Sequence, residues 1–139
     1  MTISRRRLPL FLLALTIAYC LASLAHFVHN AEHLSEYPNL PAWLSRSKVY
    51  ATWLSITSVG VIGVLLLRSR HSVIGLVTLA IYAAMGFDGL GHYAVAPISA
   101  HTAMMNLTIW SEVVAAAALL VVTVGHLALQ LRRAQPSPH

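Results

Sequence analysis

The chain has 139 residues, of which 58% are hydrophobic and only 9% are charged. Soluble domains carry about 25% charged residues, so this composition excludes an ordinary soluble protein and favours a protein of the lipid bilayer. The formal net charge is +5, but the basic residues form short clusters beside apolar runs rather than one soluble face. We therefore expect no nucleic acid partner.

Four apolar stretches are each long enough to approach or cross about 30 Å of hydrocarbon as a helix that rises about 1.5 Å per residue. They predict an all-α, integral membrane four-helix bundle with helices at residues 8–27, 49–67, 73–87 and 103–129. Residues 1–131 then form a single transmembrane domain, and residues 132–139 form a flexible cytoplasmic tail. The third stretch is the shortest, and we expect it to continue irregularly past Phe87, where three glycines follow.

The distribution of basic residues predicts the orientation. Seven arginines lie before the first helix, between the second and third, or after the fourth: Arg5, Arg6, Arg7, Arg68, Arg70, Arg132 and Arg133. Only Arg46 and Lys48 lie at the other ends of the helices. Because positive residues stay on the cytoplasmic side, both termini are predicted to be inside, in an inner or plasma membrane.

Residues 1–25 have a second interpretation, since a basic start, an apolar run and the small-residue sequence Ser23-Leu24-Ala25 also describe a secretory signal. Cleavage there would make His26 the first residue, able to chelate copper through its amine and imidazole. The apolar run exceeds the usual ~7–15 residues of a signal core, which favours a retained helix.

Acidic residues and most histidines are concentrated in the predicted outer half. This half holds all four acids and five histidines: Glu32, Glu36, Asp88, Glu112, His26, His29, His33, His92 and His101. Residues spaced by three or four share a helix face. The first helix thus has one polar stripe and the fourth has another: Tyr19, Ser23, His26, Asn30 and His33 on the first, and His101, Met105, Thr108 and Glu112 on the fourth. These stripes are predicted to meet inside the bundle, whereas Tyr37 and Trp43 suit an outer aromatic belt.

Imidazoles with carboxylates are ligands that suit copper, zinc or iron. The predicted ligands of a transition metal ion that faces outside are His26, His29, His33, Asp88, His92 and His101. Sulfur from Met104 and Met105 would favour copper. Such a site would serve metal handling or the metal-dependent oxidation of a lipophilic substrate that enters from the bilayer.

Two short motifs resemble known metal sites. Asp88-x3-His92 followed by His101 resembles a copper-binding pattern in a membrane subunit of the particulate methane and ammonia monooxygenases, which implies a copper site of that type. The resemblance is confined to residues 88–101, and the spacing to the last histidine differs. HNAEH, residues 29–33, resembles the H-x-x-E-H pattern of inverzincin metalloproteases, but Glu32 would turn about 100° away from His33, and we expect no large soluble domain that would hold a peptide.

Glu112 is a separate case because it falls within the fourth apolar stretch. A carboxylate at this depth costs at least about 2.5 kcal/mol unless it is protonated or paired, so we predict a proton carrier or an additional ligand, with hydrogen bonds to Tyr19, Thr57 or Ser58 as the structural alternative. Three other functions stay open. The first is a metal-free, isomerase-like acid–base enzyme that uses Glu112 and His101, as membrane sterol isomerases use buried Glu and His. The second is a b-type haem protein. The third is an accessory subunit that joins a partner membrane protein or a homo-oligomer. Whether the chain is an enzyme is left open by the sequence.

Overall fold

The structure is a computed structural model and describes residues 9–134. Its regular elements are all helical. Five α-helices are α1 (Leu10–Glu32), α2 (Arg46–Arg68), α3 (Ser72–Met85), α4 (Gly91–Val95) and α5 (Ala103–Ala134), with short 3-10 helices at Leu34–Glu36, Gly86–Leu90 and Ile98–Ala100.

Four helical segments are long and apolar enough to cross a membrane: Leu10–Glu32, Arg46–Arg68, Ser72–Val95 and Ala103–Ala134. This confirms the predicted all-helical, four-span architecture. The first helix continues beyond the predicted end at Phe27, and the last continues beyond Leu129. Arg5, Arg6 and Arg7 and residues 135–139 of the predicted tail lie outside the described residues.

The four spans form a ring. α1 packs against α2 and α5, and α3 packs against the same two helices. Large apolar side chains cover the outside of this ring, as the bilayer requires, among them Ile17, Leu21, Leu65, Val114 and Val121. We call the end where α1 finishes and α5 begins the histidine end, and the end where α2 and α5 finish the arginine end.

Glycines allow α2 and α3 to approach closely. A Cβ added at Gly60 would lie 2.7 Å from the Tyr82 ring, and one at Gly75 would lie 2.6 Å from the backbone nitrogen of Leu67. Small residues at such contacts are typical of membrane helix packing.

The third span changes helix type at the histidine end. α3 gives way to a 3-10 helix at Gly86, whose backbone N–H donates to the Ala83 carbonyl, three residues back, and to the Ala84 carbonyl. Glycine has low α-helix propensity, and an added Cβ at Gly86 would lie 2.6 Å from both Tyr19 and Ala116. This confirms the expected irregular continuation past Phe87, and it changes which residues of this segment face the bundle.

Candidate functional site

A buried carboxyl and a buried imidazole face each other near the histidine end. Glu112 on α5 and His26 on α1 are each 2% exposed. The Nε2 atom of His26 lies 3.8 Å from Oε2 of Glu112. Because α1 and α5 are neighbours in the ring, the two predicted polar stripes meet here, at Tyr19, Ser23, His26 and Asn30 on one side and Met105 and Glu112 on the other, all of them buried.

The hydrogen bonds around His26 determine which of its nitrogens carries hydrogen. The Thr108 hydroxyl donates to the Met105 carbonyl at 3.0 Å. Its oxygen can then accept from His26 Nδ1–H, which lies 3.5 Å away. In this tautomer Nε2 is the nitrogen without hydrogen, and it is the atom that lies 3.8 Å from Glu112 Oε2, so a base and a carboxyl group are neighbours.

Two further imidazoles lie in the same layer. The ring centroids of His26 and His92 are 5.4 Å apart, and those of His92 and His101 are 6.1 Å apart. The Asn30 amide donates to His92 Nε2 at 3.2 Å. His101 Nδ1–H donates to the Pro97 carbonyl at 3.1 Å, which leaves its buried Nε2 without a partner among the described residues. All three Nε2 atoms are therefore acceptors in this arrangement.

Tyr37 was predicted from the sequence to lie in an outer aromatic belt, but it belongs to the buried site, which the sequence did not indicate. Its side chain is buried, and its ring centroid lies 4.9 Å from that of His92. Its hydroxyl is 3.0 Å from His29 Nδ1. Burial raises the pKa of Tyr37 to about 12, so the hydroxyl stays neutral near physiological pH.

The loop that carries Tyr37 is fastened to α4. Asn39 adopts a left-handed backbone conformation with φ of 57°, which asparagine tolerates better than most residues. Its amide donates to the Val95 carbonyl at 2.9 Å. The only sequence signal for this placement is the turn-forming composition around Pro38 and Asn39, which predicts an ordered loop but not the residue that it buries.

His29 and His33 lie nearer the surface than His26. Their rings stack with centroids 4.6 Å apart, and His33 Nδ1 lies 2.9 Å from an exposed Glu36 carboxylate oxygen. Together with Tyr37 they form a series of protonatable groups from the exposed Glu36 to the buried layer of His92 and His26. Such series of titratable side chains are typical of proton relays in membrane proteins.

Asp88 does not join the buried layer. It is exposed, while His92 is partly buried. An α-helix would put residues four apart on one face, but the 3-10 helix has about 3.0 residues per turn and therefore turns Asp88 outward. Asp88 instead lines the mouth of a cleft.

The cleft leads from the surface to the buried layer. Its volume is about 440 Å³, and its lining includes the exposed residues Trp43 and Asp88. Six polar residues line it: His26, Asn30, Asn39, Thr52, Asp88 and His92. Seven apolar residues also line it: Phe27, Leu40, Pro41, Trp43, Leu44, Val49 and Val95. This volume and mixture are typical of small-molecule sites.

No protein-family model, curated protein or solved structure matches this chain.

The described residues do not present a ready metal site. Within residues 9–134, no group of three or more His, Cys, Asp or Glu side chains is arranged to hold a metal ion. Of the six predicted ligands, His26, His92 and His101 lie together, whereas His29, His33 and Asp88 lie closer to the surface. Glu32 of the HNAEH motif is engaged elsewhere, because it pairs with Arg46 and accepts a hydrogen bond from Tyr50 at 2.7 Å.

The Oε2 atom of Glu112 makes no hydrogen bond of ordinary geometry among the described residues, although Ser23 lies close enough to interact with the carboxyl. The Tyr19 hydroxyl and the Ser23 hydroxyl are also buried without hydrogen-bond partners among the described residues. None of the bonds to Tyr19, Thr57 or Ser58 that would hold a purely structural carboxyl is formed, and Ser58 donates to the Leu54 carbonyl. Unpaired buried polar groups are costly, so their clustering favours a site that handles protons or polar ligand atoms.

Proposed function

We propose that this protein is a membrane-embedded acid–base enzyme, in which His26 and Glu112 move protons on a lipophilic molecule that enters by the cleft. His26 and Gly89 line the cleft, and Glu112 lies directly behind Gly89, where an added Cβ would be 3.4 Å from Oε2. The observation that carries the proposal is the 3.8 Å approach of His26 Nε2 to Glu112 Oε2, with both residues 2% exposed. Acid–base groups held in a site with little water are typical of proton-transfer catalysis.

The reaction class that this pair supports is a shift of a double bond. His26 Nε2 removes a proton from one carbon of the substrate, and Glu112, initially protonated, returns a proton to another carbon. One C–H bond breaks and another forms, so no oxidant or reductant is needed. The 3.8 Å separation is longer than a hydrogen bond, and such contacts commonly tighten when a substrate binds.

After one turnover His26 holds the abstracted proton and Glu112 is ionised, so transfer of that proton across the 3.8 Å gap restores both groups. The partly exposed and surface residues exchange the His26 proton with solvent. The exchange runs through His92, Tyr37 and His29 to the exposed His33 and Glu36 pair. The supporting contacts are the ring separations of 5.4 Å between His26 and His92 and 4.9 Å between His92 and Tyr37, and the 3.0 Å approach of Tyr37 to His29.

We place the histidine end outside, with both termini in the cytoplasm of an inner or plasma membrane. Arg68, Arg70, Arg132 and Arg133 all belong to the arginine end, whereas the histidine end has only Arg46 and Lys48. The excess of positive residues at the arginine end supports this orientation.

Solvent exchange tests the proposal on a whole mixture of candidate substrates at once. Purified protein is incubated in D2O with a membrane lipid extract, and deuterium in each lipophilic species is read by mass spectrometry. We expect at least one species to gain deuterium with the wild type and at least about 100-fold more slowly with His26→Asn, since a general base typically contributes 10²–10⁴-fold. His71→Asn, an exposed histidine at the arginine end, is the matched control. Equal exchange by His26→Asn and the wild type would contradict the proposal.

A metal centre is the second candidate, and the buried Nε2 of His101 favours it. Metal-binding histidines commonly donate their other N–H to a backbone carbonyl, as His101 does to Pro97. Imidazoles that share one ion at Zn–N distances of about 2.0–2.1 Å have centroids roughly 5 Å apart. The 5.4 Å and 6.1 Å separations are near this value, so His92 lies at a suitable distance to share an ion with His26 or with His101. Copper, zinc or iron bound there would supply Lewis acid or redox chemistry.

Elemental analysis separates the two candidates. The metal proposal expects copper, zinc or iron at one equivalent or more in the wild type, at least about tenfold less affinity in His101→Ala, and no change in His126→Ala at the other end, since loss of a ligand weakens a site at least as much as loss of its support. Metal content that is the same in wild type and His101→Ala would contradict it.

An optical spectrum of the same sample tests the haem alternative, and co-purification tests the partner subunit or homo-oligomer.

A further inference from the structure

A second cavity lies at the arginine end, far along the bundle from the His26–Glu112 pair. It measures about 790 Å³ and is bordered by residues of α1, α2, α3 and α5. Four leucines form its apolar wall: Leu12, Leu67, Leu76 and Leu129. Ser72, His126, Gln130 and Arg133 are its polar residues. The cavity therefore combines an apolar wall with a polar wall, as expected of a site for an amphiphilic molecule.

Hydrogen bonds organise the polar side of this cavity. Gln130 Nε2 donates to the Ser72 hydroxyl oxygen at 2.6 Å, which joins α3 to α5. His126 Nδ1–H donates to the Val122 carbonyl at 2.8 Å. The Ser72 hydroxyl hydrogen remains able to donate, and Arg133 lines the same cavity.

The charge of the arginine end is unbalanced. All four acidic residues of the chain, Glu32, Glu36, Asp88 and Glu112, belong to the other half, and Arg133 makes no ion pair among the described residues. An arginine presents several N–H donors in a fork that matches phosphate oxygens. A bound anion would therefore balance the charge of this end.

We propose that this cavity binds an anionic phospholipid. Its phosphate contacts Arg133 with help from Ser72, and an acyl chain lies along the leucine wall. Basic pockets between membrane helices are known to select anionic headgroups. This inference does not depend on the proposed function, because the two cavities share no residue.

Lipid retention in native mass spectrometry tests the proposal on the full-length protein, reconstituted in nanodiscs of phosphatidylglycerol and phosphatidylcholine. Arg133→Gln is compared with Arg132→Gln, which removes the same charge from the adjacent residue outside the cavity lining. We expect Arg133→Gln to lower retained phosphatidylglycerol about fivefold, which is the change for about 1 kcal/mol per basic residue. Arg132→Gln should change it much less.

Equal losses in the two variants would overturn the proposal, because they would indicate general attraction to surface charge. Competition by soluble glycerol phosphate distinguishes the sources of phosphate. We expect it not to displace the lipid at millimolar concentration, because it lacks the acyl chain that the leucines hold. Displacement would show a free phosphate site and would also overturn the lipid proposal. Unchanged thermal unfolding of both variants verifies that each is folded.

Discussion

Replacement of Glu112 by glutamine is expected to slow deuterium exchange into the lipophilic substrate by about 100-fold or more, in the range of 10²–10⁴ that general acid–base groups contribute. The amide would keep the shape of the side chain but could neither release nor accept the proton. Because Glu112 is 2% exposed and faces His26, bulk solvent has little access to take its place. The measurement is the initial exchange rate of purified variants in D2O.

Glu36→Gln is the matched control for this experiment. Glu36 is also a carboxylate of the histidine end, but it is exposed and contacts His33. We expect its exchange rate to stay within a few-fold of the wild type, since solvent can exchange protons with His33 directly. A Glu112→Gln variant that folds normally and exchanges as fast as the wild type would remove Glu112 from the mechanism.

Gly75→Ala is expected to destabilise the bundle by about 1–3 kcal/mol or more, the usual effect of overpacking. The added Cβ would lie 2.6 Å from the Leu67 backbone nitrogen and 3.0 Å from the Leu66 carbonyl carbon. These are backbone atoms, which cannot rotate aside as a flexible side chain could. Equilibrium unfolding in mixed detergent micelles, followed by circular dichroism, measures the change in free energy.

Gly125→Ala provides the control, because a Cβ at Gly125 meets nothing within 4 Å. In a helix interior this change should leave stability equal or raise it by up to about 1 kcal/mol, the difference in helix propensity. If Gly75→Ala proves as stable as Gly125→Ala, α2 and α3 do not approach as closely as described.

The sequence predicted the parts of the fold that depend on local pattern. Hydropathy was sufficient for four spans because each is a continuous apolar helix. The stripe of Tyr19, Ser23, His26 and Asn30 followed from helical spacing, and all four residues are buried. His33 continues the same spacing but is exposed, because α1 ends at Glu32 and the periodicity ends with it.

The rest depended on contacts between distant residues. Tyr37 is placed by a loop whose path depends on the bond from Asn39 to Val95, and no local pattern indicates that bond. Asp88 turned outward because the third span changes to a 3-10 helix at Gly86. The acid–base alternative paired Glu112 with His101, but the structure places His26 next to Glu112. His101 donates a hydrogen bond to the Pro97 carbonyl.

Infrared titration of the Glu112 carboxyl tests the coupling of this pair without any substrate. The band of the protonated carboxyl is assigned by its loss in Glu112→Gln and followed with pH in wild type, in His26→Asn and in His33→Asn. Because ionisable groups in contact titrate as a coupled pair, we expect His26→Asn to displace the curve by about one pH unit or more and His33→Asn to leave it unchanged. Superimposable curves for wild type and His26→Asn would show that the two side chains are not neighbours and would contradict the proposed acid–base site.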